Sequence, residues 1–172
     1  MNEHTVRLGG VTTQVDLEAF ESLFDAEYPR LCQALLLLTG DRFEAEDVAQ
    51  EAMTRVLERW DRVRTMESPT GYLFRAALNL QRNRLRGLAV RARRAFAEAP
   101  APDHGPSVGD QLDVRRALAT LPRSQREALV LVDWLDLDTD EAGQVLGLSP
   151  NAVRVRLHRA RTTLKELLGG EA

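Results

Sequence analysis

The sequence has little of what metal proteins, secreted proteins and most enzymes are built on. One cysteine, Cys32, stands in 172 residues, so no internal disulfide can form. The only histidines are His4, His104 and His158, too few beside one cysteine for a Cys/His metal cluster. No metal site and no cofactor are expected. There is no run of about 18 apolar residues, so no membrane-spanning helix is predicted. The N-terminus, with Glu3 and Asp16, lacks the basic start and apolar core of a secretory signal, which predicts a cytoplasmic protein. No nucleophile–base pair and no glycine-rich phosphate loop is present, so no catalytic residues are assigned and an enzyme is not expected. Lysine is almost missing too: Lys165 is alone among 23 cationic residues, the rest being arginine.

What is present is charge, unevenly placed. The formal net charge of −3 would argue against a nucleic-acid partner if it were spread evenly. Residues 1–51 carry net −8, residues 52–97 net +8, residues 98–150 net −6 and residues 151–172 net +3. Two acidic and two basic blocks can face different partners. Arginine forks suit phosphates and guanine edges better than lysine point charges do. A GC-rich genome explains an arginine excess, but not its clustering.

The stretch Ala97–Gly109 (AEAPAPDHGPSVG) holds three of the seven prolines and reads as a linker, taken as 97–110. Helical patterns flank it at 16–96 and 111–169, and no strand alternation is visible. The expected class is all-α, two small helical domains joined by a flexible linker. In the first block, Asp16 opens a helix carrying Leu17, Phe20, Leu23 and Phe24. The pattern resumes after Pro29 and stops at Gly40. Asp41 starts a helix to about Trp60, and Ser68-Pro69 opens one running past Arg86. In the second block, helices are expected over about 111–120, 123–135, 139–146 and 150–168, with start signals at Asp110, Pro122, Thr139 and Ser149-Pro150.

The segment 139–168 reads as helix, short Gly147-Leu148-Ser149 turn, helix, the pattern of a helix-turn-helix. On a 3.6-residue wheel Val153, Leu157, Ala160 and Leu164 make the core face of the second helix. Asn151, Val155, His158, Arg159 and Thr162 lie opposite, flanked by Arg154 and Arg156. That surface offers hydrogen bonds, positive charge and one apolar contact for a thymine methyl. Gly143 inside the first helix should cost about 1 kcal/mol relative to alanine, and a close helix crossing would explain it.

The helix opened by Pro69 sets Leu73, Ala76, Ala77 and Leu80 on one face. Arg75, Asn79, Arg82, Asn83 and Arg86 lie on the other, extended by Arg91, Arg93 and Arg94. Arginine can hold phosphates and asparagine can read an exposed base. The polar connection Asp61–Ser68 beside it suits an unstacked base. The preceding helix turns Ala45, Val48, Ala49, Ala52, Met53, Val56 and Trp60 inward. It turns Asp47, Gln50, Glu51, Thr54 and Glu58 outward, a face that repels DNA and suits a protein partner or solvent.

Four motifs then carry a resemblance: Glu44–Trp60 (EAEDVAQEAMTRVLERW), Gly71–Arg86 (GYLFRAALNLQRNRLR), Leu121–Leu137 (LPRSQREALVLVDWLDL) and Asp140–Leu164 (DEAGQVLGLSPNAVRVRLHRARTTL). In this order they resemble the sigma-70 family, and within it the extracytoplasmic-function (ECF) sigma factors of the short actinobacterial type. The resemblance covers about Phe20–Leu168. It implies a bacterial transcription initiation factor whose partners are core RNA polymerase and promoter DNA; an anti-sigma factor is a further candidate partner, and how the factor is controlled is not written in the sequence. It implies a sigma-2 domain over 16–96 and a sigma-4 domain over 111–169. By the resemblance, Asp47, Gln50, Glu51 and Thr54 would dock the polymerase. Arg75, Asn79, Arg82, Asn83 and Arg86 would hold the opened minus-ten strand. Asn151, Ala152, Arg154, Val155, Arg156, His158 and Arg159 would read the minus-thirty-five element. The family often has other residues at Tyr72, Leu78, Asn83 and Ala152, which bears on promoter sequence. The rival reading is a free-standing helix-turn-helix regulator, which leaves the acidic helix face without a use.

Overall fold

The structure, a computed structural model, describes the backbone of residues 14–95 and 110–169 and the side chains of 17–88 and 114–167. The linker stretch Ala97–Gly109 and the side chains of Arg91, Arg93 and Arg94 lie outside the described residues. The described chain is helical, with no strand: α1 (Gln14–Thr39), α2 (Arg42–Glu58), α3 (Trp60–Val63), α4 (Pro69–Ala95), α5 (Asp110–Thr120), α6 (Arg123–Leu129), α7 (Thr139–Leu146) and α8 (Pro150–Gly169).

Helix α1 corrects the expectation of two helices broken at Pro29. It is continuous, with Pro29 inside it, and it begins at Gln14 rather than at a cap on Asp16. An interior proline removes one backbone hydrogen bond and costs about 3 kcal/mol. Here the proline sits on the exposed side, where water can serve the freed carbonyl. Phe20 on one flank and Leu31, Ala34, Leu35 and Leu38 on the other are buried. Apolar burial at both ends therefore holds the helix through its weak point. Gly40, at φ 76°, ends it in the left-handed conformation that glycine adopts freely.

Several start signals act as read. The Asp41 side chain accepts from the Glu44 N–H at 3.0 Å, Ser68 from Gly71 at 3.0 Å and Ser149 from Ala152 at 3.2 Å. The α7 cap lies one residue earlier than expected. Asp138, not Thr139, accepts from Asp140 and Glu141, and Glu141 returns a bond to the Asp138 N–H, a reciprocal capping box. The helix expected over 123–135 is α-helical only to Leu129. Val130–Trp134 widens into a π-helical turn, and Asp136 follows at φ 55°.

The core is where the two blocks meet. Helices α1, α2 and α4 pack around Val48, Ala49, Ala52, Val56, Leu73 and Ala77, all fully buried. The Trp60 ring meets Phe20 edge-on, with centroids 5.4 Å apart. The same cluster continues without a break into Ala128, Val130, Leu131, Leu135, Ala142 and Val153 of the second block. Phe74 and Leu78 of α4 are buried too, at 2% and 3% exposure, which widens the apolar face beyond the one-sided wheel. Helix α4 is covered on one side by α2 and on another by α7. Two blocks that are separate along the sequence thus share one hydrophobic interior.

Candidate nucleic-acid interface

The helix-turn-helix is built as its residues dictate. Gly147 ends α7 at φ 71°, and the Leu148 N–H bonds back to the Gly143 carbonyl at 2.8 Å. Gly143 is explained by this turn rather than by the crossing of the two helices. A Cβ there would sit 2.7 Å from the Leu148 carbonyl oxygen. Val153, Leu157 and Ala160 of α8 are buried and anchor the helix, with Leu164 half-buried below them.

The opposite face of α8 is open. Asn151, Arg154, Val155, His158, Arg159 and Thr162 are exposed, while Ala152 and Arg156 are half-buried on the flanks. Val155 is 43% exposed, an apolar side chain left in solvent and suited to a methyl contact. Arg154 donates to the Thr139 hydroxyl at 3.3 Å, which ties the reading face to the start of α7. All seven residues expected to read duplex DNA are therefore carried on this one helix, five of them exposed.

The α4 set is collected on one helix face, and Arg82 alone of the five is partly buried. Arg75, Asn79, Asn83 and Arg86 are exposed. Arg82 is partly buried and forms a forked pair with Glu127 of α6, at 2.6 and 3.1 Å. Arg75 donates to the Gln144 carbonyl of α7. Glu127 itself is only 3% exposed and also pairs with Arg123 at 2.8 Å. Burial alone would raise the Glu127 pKa, but the two guanidiniums beside it outweigh burial and hold the carboxyl below its usual range. Arg123 reaches across to the Gln81 side-chain carbonyl of α4. The expectation of a wholly solvent-facing basic surface on α4 is corrected at Arg82, which the second block partly covers; Arg75 stays exposed while it donates to Gln144.

The acidic face of α2 is where the sequence puts it. Asp47, Gln50 and Thr54 are exposed and Glu51 is half-buried. Arg84 of α4 spans the two acids, 2.5 Å from Asp47 and 2.6 Å from Glu51. Its hydrogen bond to Glu51 holds that carboxyl below the ordinary glutamate range. Arg84, Arg123 and Glu127 escaped the sequence reading. The Arg123–Glu127 spacing of four residues on α6 was a visible signal for a helical pair. The reach of Arg84 to α2 and of Glu127 to α4 is tertiary, and no spacing announces it.

Among the described residues no group of three or more His, Cys, Asp or Glu could hold a metal ion. No described helix is long and apolar enough to cross a membrane.

The chain matches the family models for Sigma-70 region 2 over residues 23–91 and Sigma-70, region 4 over residues 111–164. It is 35% identical over 169 residues to the ECF RNA polymerase sigma factor ShbA of Streptomyces griseus, covering 88% of each chain. It is 31% identical over 149 residues to the RNA polymerase sigma-E factor of Streptomyces coelicolor, covering 83% of this chain and 84% of the relative. Among solved structures it is similar in fold to the sigma factor RpoE, crystallised with the anti-sigma factor NepR, from Bartonella quintana. That TM-score is 0.78 at 22% identity, over 90% of this chain and 99% of the other.

Proposed function

We propose a function from one premise: the chain belongs to the sigma-70 family, in its ECF group. It acts as an RNA polymerase sigma factor, a non-catalytic initiation factor that binds core polymerase and selects promoters. Residues 16–96 form the sigma-2 domain, 97–110 the connector and 111–169 the sigma-4 domain. The protein works in the cytoplasm, with polymerase and chromosome. The observation that carries this reading is a division of surfaces. An acidic face on α2, which DNA would avoid, sits in the same chain as an open duplex-reading face on α8.

The residues divide the work. Asp47, Gln50, Glu51 and Thr54 on α2 dock the polymerase. Asn151, Ala152, Arg154, Val155, Arg156, His158 and Arg159 on α8 enter the major groove at the minus-thirty-five element. Arg75, Asn79, Arg82, Asn83 and Arg86 on α4 hold the opened minus-ten strand. Each DNA surface alone is small, so affinity comes from simultaneous engagement once polymerase sets the spacing. RpoE is seen with an anti-sigma factor, and a protein of that kind is the third partner class proposed for this chain.

Run-off transcription with core polymerase and this protein on a genomic promoter library tests the function. Discrete transcripts, absent without the protein, are expected and also map the promoter. Operator-like binding with no transcripts would instead make it a free-standing regulator. Replacing Asp47 and Gln50 by alanine is expected to weaken capture of core polymerase. Undiminished co-purification of that double variant would remove the docking assignment.

A further inference from the structure

The outermost line of α2 carries a side chain that the free protein does not use. Phe43 is the second residue of the helix and is 85% exposed, against 53% for Leu88, the next most open large apolar side chain among the described residues. It belongs to neither hydrophobic cluster and stacks on no other described ring. It takes no part in the helix start either. Asp41 accepts from Glu44, and an apolar staple would join the residues just before the cap and one turn in, which here are Gly40 and Ala45. Phenylalanine is a weaker helix former than alanine or leucine, so local propensity does not call for it.

Spacings of four, three and four put Phe43, Asp47, Gln50 and Thr54 on one stripe, and all four are exposed. Ion pairs border the stripe on both sides. Arg42 holds Glu46 at 2.8 Å on one; on the other, Arg84 holds Asp47 and Glu51, with Arg55 at 2.7 Å from Glu51. The Thr54 hydroxyl donates to the Gln50 carbonyl at 2.9 Å. Asp47, Glu51 and Thr54 are thus already partnered in the free chain, and a protein that takes them over gains little beyond the exchange. Phe43 stands outside that exchange, since covering it displaces only water. Helix α2 is backed by α1 and α4, so the ring is presented on a rigid element.

We propose that Phe43 is the apolar anchor of the α2 docking face, seating in a hydrophobic pocket of core polymerase. This rests on the reading of α2 as the polymerase-docking helix. One aromatic buried at the contact supplies most of the affinity, and the polar groups around it set register and exclude water. The pocket it fits is lined by apolar side chains and rimmed by donors that face Asp47 and the Gln50 side-chain carbonyl.

The test uses the full chain and purified core polymerase, immobilised, with binding followed in real time. Phe43→Ala is expected to weaken binding by about tenfold or more, mostly through faster dissociation, with the urea midpoint of the free chain unchanged. Phe43→Leu keeps most of the apolar area and should fall between the parent and Phe43→Ala. An apolar loss keeps its factor in low and high salt, so a loss that fades in high salt would overturn the anchor. The Asp47→Ala, Gln50→Ala double variant separates this proposal from the reading beneath it. A weakened double variant beside an undiminished Phe43→Ala would overturn the anchor and leave the docking face standing. Undiminished binding by both would overturn the docking reading and the anchor with it. Sedimentation of the free chain checks the other occupant. Self-association that Phe43→Ala abolishes, with core binding unchanged, would assign the ring to a second copy and overturn the proposal.

Discussion

Helices α4 and α8 carry the same surface signature and meet different neighbours. Each is amphipathic, with arginines and asparagine opposite a buried stripe. On α8 that face is open, and Arg159 and His158 are exposed. On α4 it is partly covered, with Arg82 on Glu127 and Arg75 on a carbonyl of α7. Helical periodicity sets which residues share a face. Whether the face is free depends on what the rest of the chain lays against it. In a two-block protein one block can be the other's occupant.

The largest expected effect breaks the covered side of this comparison. Glu127→Ala leaves two partly solvated guanidiniums facing each other without their carboxylate, and should cost about 1.5–3 kcal/mol of unfolding free energy in urea. The pH dependence sharpens it. The Glu127 pKa is lowered in the folded chain, so the pair contributes its full stabilisation above the ordinary glutamate range. The contribution declines below that range and is gone once pH has fallen through the lowered folded value. The facing charges are Arg82 from α4 and Arg123 and Arg126 from α6, and none of them titrates in that window. Stability measured against pH should lose part of its acid slope in Glu127→Gln.

On the open side, Arg159→Ala should relax discrimination at one minus-thirty-five base by about 1–3 kcal/mol while leaving the fold intact. Footprinting of the assembled enzyme on base-substituted promoters measures it, and unchanged preference would remove Arg159 from the reading set. Gly143→Ala tests the frame of that helix. Helix propensity alone favours alanine by about 1 kcal/mol. The 2.7 Å approach to the Leu148 carbonyl is a backbone contact that cannot easily give. A net loss of about 1–3 kcal/mol is expected from the overpacking. The smallest effect belongs to Arg161→Ala. Its pair with Asp133 is solvent-exposed, and its loss should cost under about 1 kcal/mol.

Much of this was legible in the sequence because it is local. Caps at Asp41, Ser68 and Ser149, the Gly147 turn and the core stripes of α2 and α8 follow from spacing within a few residues. The α1 break at Pro29 was misread for the same reason. The proline's local penalty is real, but the opposing burial of Leu31 and Leu35 comes from other helices. The joined core and the covering of Arg82 were not legible. They depend on pairs such as Arg82 and Glu127, 45 residues apart. The family comparisons place two regions in order along the chain, but they do not specify how one region rests on the other.

The Arg84 clamp on α2 changes how the acidic face is felt from a distance. Asp47 and Glu51 together suggest two negative charges, but Arg84 between them and Arg55, 2.7 Å from Glu51, leave the cluster without net charge. A cationic partner approaching through salt water is drawn in less strongly than the acid count implies, and its association rate should fall only gently as ionic strength rises. Capture at this face is then decided late in the encounter, by whether the partner's donors can share carboxylate oxygens that Arg84 already holds in fixed positions.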